Sequence, residues 1–451
     1  ALLCPLPHTS LGRTHLDQSL MATLNSTISG SDTGDTLIGT ESDQLISGGT
    51  AADSIGSQYA SSSLIGNGGN DTFFANSKVP GVGIGSTIKG GSGSDSFEFN
   101  SFGLTSVVLS GNQDNDTIRL TGPTVESTLF GGQGEDSIQI RNTLTNSSIY
   151  SNSGNDTIDV TAPVQSTFLN GGQGDDRFSL TGTVTDSTVV GGSGADLLTF
   201  KNVVGNTSVQ GFGGSTEDTA NDSVVFASTA NDINISFAEG NDSLTLSKGA
   251  TNATIAAGGG NDSIFATLTV AGSSIEAADG TDSISISVFS GSTIKGGSGA
   301  DSIDLGKAVS SQVFVNQGND YITAGAATTT TLSGGKGNDS LIVGGNVVGG
   351  NVVGNSGADS ITISGTASNA YVVGGADNDY MTVSVVNGGT IGGQLGADSL
   401  FVGGKLNSAR VLMTSDTDPE SSSDKADSLS VGSTMSGSTV FAGAGADNIS
   451  V

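Results

Sequence analysis

Apolar and polar positions follow one pattern along nearly the whole chain, and the pattern returns about every 20 residues. Its fixed point is Asp136 in GGQGEDSIQI (131–140). The equivalent anchors are Asp95, Asp116, Asp156, Asp176, Asp196, Asp222, Asp242, Asp262, Asp282, Asp301, Asp320, Asp339, Asp359, Asp379, Asp398, Asp427 and Asp447. Steps between anchors are 19–21 residues, except 26 before Asp222 and 29 before Asp427. Two residues after every anchor stands an apolar residue, from Phe97, Ile118 and Ile138 to Ile449. Four after comes Phe99, Leu120, Ile140 or Val160, weakening to Ala266 and Ala324. Seven before comes Ile88, Leu109, Leu129 or Ile149, a position lost only in the two lengthened repeats.

Alternation at two and four is strand periodicity with one buried face. β-Branched residues suit it, and no stretch has helical spacing. Each repeat predicts a strand, a Gly-rich turn, a second short strand and a looser polar turn such as RNTLTNSS (141–148). No single repeat buries its apolar row alone, so coils must stack. The expected fold is all-β: an elongated parallel β-solenoid of about twenty coils, with about 20 residues and two short strands per coil. At the strand spacing of about 4.8 Å this makes a rod of about 90–100 Å.

The turns carry the candidate chemistry. They include GGSGSD (90–95), GGQGED (131–136), GGQGDD (171–176), GGSGAD (191–196), GGGND (258–262), GGSGAD (296–301) and GGKGND (334–339). These resemble the RTX, or haemolysin-type, calcium-binding nonapeptide G-G-x-G-x-D-x-U-x, a pattern whose β-helix context is well known. The physics agrees. Glycine permits positive φ, which lets backbone carbonyls converge, and Asp adds a hard anionic oxygen suited to Ca²⁺.

The resemblance implies a β-roll with ions between loops of neighbouring coils. It also implies that the anchors, with Asp53 and Asp71 added and Asp427 in its lengthened loop left out, hold Ca²⁺ in a row along one edge. Bare tight turns are the alternative reading. Against it, carboxylates stacked about 4.8 Å apart repel one another without counter-ions.

The chain departs from the family pattern in having one such loop per 20 residues, not one every nine, so a single edge is expected to carry ions. Near the beginning, GSDTGDTLI (30–38), GTESDQLIS (39–47) and GGTAADSIG (48–56) run in tandem, which reads as starting coils over 30–75 with two-edged character. Regular repeats fill 76–451. NQGND (316–320), GADND (375–379) and QLGAD (394–398) each lose a glycine, which puts full ion occupancy there in question. The long steps hold acidic insertions, GFGGSTEDTAND (211–222) and TSDTDPESSSDKAD (414–427). They read as tolerated surface loops, with an extra cation site or a contact site as the functional alternative.

Residues 1–29 are atypical. The first twenty hold the single Cys4, both histidines, His8 and His15, and two of the six prolines. Their apolar run is broken by Pro5, Pro7 and His8, with Arg13 after it, which is not the form of a signal peptide. Met21 reads as the natural start, with residues 1–20 non-native; a short anchoring or export segment is the functional alternative. The end at Val451 falls within a repeat, which reads as truncation.

Composition narrows function. Asp and Glu total 44 against 14 Lys and Arg, a formal charge of −30, with 71 Gly, no Trp and 5% aromatic residues. Nucleic-acid binding needs a basic surface and is not expected. No apolar run approaches the roughly 18 residues of a membrane span. Without His or Cys in the repeats, a Ser-His-Asp or Cys-His nucleophile is excluded there; a carboxylate pair stays open on residue types alone, but no enzyme activity is expected.

The expected role is an extracellular calcium-binding structural repeat protein (surface layer, adhesin or matrix segment) that folds on binding Ca²⁺. The resemblance implies export without an N-terminal signal peptide to the outside of a bacterial cell. Self-association or a cell-surface polysaccharide are the further partners this suggests. Alternatives are a calcium-binding module of a larger secreted enzyme or toxin, and an ice-binding β-roll. The irregular third loop position makes a poor template for the latter. About fifteen divalent ions would offset the charge of −30.

Overall fold

A computed structural model describes residues 26–57, 59–75, 84–100, 103–212, 218–414, 425–443 and 445–451. All regular elements among them are β-strands, joined in one parallel sheet that winds from coil to coil. In a representative coil the strand Thr128–Gln133 leads into the Gly-rich loop, Ser137–Ile140 leads out, and Leu144–Thr145 forms a short third segment. Each pairs with its equivalent one coil on: Leu129 with Ile149, Ile138 with Ile158, and Leu144 with Val164. The register is therefore one full repeat. Sequence periodicity shows two strands per coil; the third is too short, at two residues, to leave an alternation.

The side chains seven before, two after and four after the anchor point inward and are buried, as Leu129, Ile138 and Ile140 show. Leu144, Val164, Val184 and Val204 add a further inward column from the third segment. Like stacks on like. Phe73 lies on Phe97 with ring centroids 4.6 Å apart, and Phe200 on Phe226 at 4.7 Å, close to the strand spacing.

The early coils are shorter. Ser26–Ser29 pairs with Gln44–Ser47, and Thr36–Gly39 with Ser54–Ser57, an 18-residue register. The first coil thus already includes Ser26. Much of the insertions, 213–217 and 415–424, and most of the atypical N-terminal segment lie outside the described residues. Among the described residues, no helix is long and apolar enough to cross a membrane.

Candidate metal column at the glycine-rich edge

The loop backbone explains its own sequence. Four and two residues before the anchor, φ is positive: 135° at Gly132 and 126° at Gly134, 110° at Gly172 and 117° at Gly174. Where the first of these is not Gly it is often Asn, as at Asn112 (84°), Asn152 (78°) and Asn355 (83°). Asn tolerates this region better than other side chains. The three loops short of a glycine keep the same conformation, with Asn316 at 71°, Asp377 at 77° and Gln394 at 85°. Their altered sequence does not alter the turn.

The glycine five before the anchor has a different reason. Its φ is ordinary, but a Cβ on Gly131 would strike Asp136 Oδ2 and the Ser151 carbonyl of the next coil. The same cradle, between the anchor carboxylate and a carbonyl one coil on, recurs at Gly90, Gly111, Gly171, Gly191, Gly334 and Gly354.

Into this cradle the anchors point. They share the inward parity of the apolar residue two places on, and Asp71 through Asp427 are buried, with relative exposures of 1–4%. Each anchor N–H donates to Oδ1 of the next anchor: Asp116 to Asp136 at 2.7 Å, Asp136 to Asp156 at 2.6 Å, Asp156 to Asp176 at 2.8 Å. This ladder runs from Asp35, through Asp53, Asp71 and Asp95, to Asp447. It passes Asp176, Asp196, Asp222, Asp242, Asp262, Asp282 and Asp301. It continues through Asp320, Asp339, Asp359, Asp379 and Asp398 to Asp427. Every sequence-derived candidate therefore stands in one column.

Asp35 and Asp427 stand there too, though neither is among those candidates. Asp427 has the anchor signature but sits in a lengthened loop, and Asp35 lies in the first tandem loop.

Oδ2 is the atom without a role. It is buried with no hydrogen-bond partner at Asp71, Asp95, Asp116, Asp136, Asp156, Asp176, Asp196, Asp242, Asp262, Asp282, Asp301, Asp320, Asp339, Asp359 and Asp379. Burial pushes these carboxyls up, against the lowering effect of the ladder hydrogen bond, to about 6 at Asp136, about 8 at Asp156 and about 9 at Asp196. Neighbouring carboxylates raise Asp156 and Asp196 further. A buried ionised oxygen with no partner requires a proton or a cation.

The first coils solve this differently. Asp53 Oδ2 accepts the Gly49 N–H, and Asp35 Oδ2 accepts from Ser31 N–H and Oγ–H. No group of three or more His, Cys, Asp or Glu able to hold a metal occurs among the described residues. With at most two such side chains at hand, a cation here must complete its shell largely with main-chain carbonyls, which suits the oxygen-rich, irregular coordination of Ca²⁺.

The opposite edge uses the same device with neutral groups, a feature missed by the sequence reading. Ser127 N–H donates to Ser147 Oγ at 3.1 Å, Thr167 to Ser187 at 3.1 Å, and Ser273 to Ser292 at 2.9 Å. Each hydroxyl then donates to the carbonyl two residues before it, as Ser147 does to Thr145 at 2.9 Å. In these coils no oxygen is left over; at the start of the ladder Ser86 Oγ has no partner. Even in the tandem loops, where a second ion edge is conceivable, the inward residue is Gln44. Its Oε1 accepts Thr40 N–H and Glu41 N–H, and its Nε2 donates to Ser26.

A third ladder, of Asn side chains one before the anchor, closes the loop tips. Asn115 Oδ1 accepts Glu135 N–H at 2.9 Å, and Asn241 Oδ1 accepts Asn261 N–H at 2.7 Å.

Residues 61–77, 249–267, 292–307 and 327–346 match the RTX calcium-binding nonapeptide repeat, each segment containing one anchor of the column. The chain carries RTX calcium-binding repeats. No curated protein and no solved structure matches it. The RTX repeats here are thus set in a coil that keeps the calcium-type loop on one edge and a hydroxyl ladder on the other.

Proposed function

We propose that this protein is an extracellular structural rod whose glycine-rich edge is completed by Ca²⁺. The observation that carries the reading is the column of buried Oδ2 atoms without partners at the anchors from Asp71 to Asp379, Asp222 excepted, many of them beside a glycine whose Cβ would strike that oxygen. Calcium inside cells is scarce, whereas extracellular modules work with weak sites at millimolar calcium. Binding at sites that the unfolded chain lacks becomes folding energy.

The rod would serve as a surface-layer, adhesin or matrix segment, exported unfolded and folded outside. The repeats hold no His or Cys from which a His-dependent nucleophile could be built, which supports a structural role. Equilibrium dialysis tests the reading. The expected result is about one Ca²⁺ per coil over the column from Asp71 to Asp379, with little Mg²⁺ retained. Uptake of one or two ions by the whole chain would contradict it.

A further inference from the structure

Several loops carry a second carboxylate beside the anchor, such as Asp114, Asp175 and Asp377, but at Asp218 that carboxylate has a buried oxygen without a partner. The long step before Asp222 delivers Asp218 to the anchor column, and the main chain there is fixed: its carbonyl accepts Glu239 N–H at 3.0 Å. Its Oδ1 accepts Ala220 N–H at 3.2 Å, while its Oδ2 is buried and has no partner. Asp218 is close enough to push up the carboxyls of three successive anchors, Asp196, Asp222 and Asp242. Asp196 and Asp242, at 2% and 3% exposure, also hold buried Oδ2 atoms without partners. The ion pairs Arg141–Asp159 and Lys295–Glu276 lie in other coils.

We infer that Asp218 creates a calcium site of its own within the column, pairing its Oδ2 with an anchor carboxylate so that two carboxylates, not one, hold the ion. Raising ligand charge is how oxygen sites gain calcium affinity. This site would fill first and hold the middle of the rod at calcium concentrations too low for the rest. The inference rests on the calcium reading of the column.

Asp114 provides a matched control. It too lies beside anchors, raising Asp95 and Asp116, but its Oδ2 accepts Gly93 N–H at 2.8 Å and is satisfied.

Isothermal titration of the full chain with Ca²⁺ tests this, comparing wild type, Asp218→Asn and Asp114→Asn. Circular dichroism at saturating calcium confirms that each is folded. The wild type should show one site at least tenfold tighter than the remainder. Asp218→Asn should abolish that phase and leave the others, while Asp114→Asn retains it. A rod that binds calcium in a single class, an unchanged tight phase in Asp218→Asn, or equal loss in both variants would overturn the inference alone. A wild type that takes up no calcium would overturn the column reading with it.

Discussion

Glycine serves two purposes in loops such as GGQGED (131–136), and they fail differently. Gly132 and Gly134 supply positive φ, which Asn also tolerates; Gly131 supplies room beside Asp136 Oδ2. Gly131→Ala is expected to destabilise the calcium-loaded rod by about 1–3 kcal/mol, the cost of overpacking. Gly132→Asn should cost less, since Asn152 and Asn112 hold the same position in the adjacent coils. Thermal unfolding at saturating calcium compares the two, and a larger loss for Gly132→Asn would contradict the assignment.

Asp156→Asn separates the roles of the carboxylate. It keeps an Oδ1 for the ladder bond from Asp136 and removes the charge at Oδ2. The variant is expected to melt higher than wild type in calcium-free buffer at pH 8 and lower at saturating calcium. The same sign in both conditions would contradict a cation-binding Oδ2.

Within a coil, how much the sequence reveals depends on whether side-chain chemistry differs between facing positions. The columns two and four after the anchor and seven before it stand out because apolar residues alternate with polar ones. The inward parity of Asp136 follows from the same count, since it lies two before Ile138. The third segment left no alternation because Leu144–Thr145 is two residues long. The hydroxyl ladder was hidden for another reason. Ser127, Ser147 and Thr167 lie in or beside polar turns rich in Ser and Thr, and only the structure shows that they point inward.

That ladder makes a prediction of its own. Ser147→Ala leaves the buried Ser127 N–H without its acceptor, which should cost about 1–3 kcal/mol. The loss should be the same in calcium-loaded rods at any calcium concentration that keeps them folded, because this edge holds no ion. A loss that grows as calcium falls, measured by chemical denaturation across a calcium series, would contradict the neutral reading.

For the whole molecule, the net charge of −30 takes its meaning from the column. The anchors are raised by burial, to about 6 at Asp301 and Asp339, about 7 at Asp95 and Asp359, and about 8 at Asp116 and Asp379. A carboxyl raised in the folded state above its unfolded value near 3.8 stabilises the fold fully below that value. The contribution is lost as pH rises through the folded-state value. The metal-free rod should therefore keep this contribution in full only below about pH 4 and lose it progressively up to pH 6–9, while the calcium-loaded rod should be nearly flat between pH 6 and 9. Melting temperatures in calcium-depleted buffer check the sign; a metal-free rod more stable at pH 8 than at pH 5 would contradict it.

The central claim is that cations, not protein groups, complete the buried edge at neutral and higher pH. Far-ultraviolet circular dichroism at pH 8, with millimolar calcium and then with excess chelator, tests it most directly. The expected result is a strong β signal in calcium that collapses on chelation and returns when calcium is restored. A β signal unchanged by chelation would show that the column stands without metal, and would contradict the account.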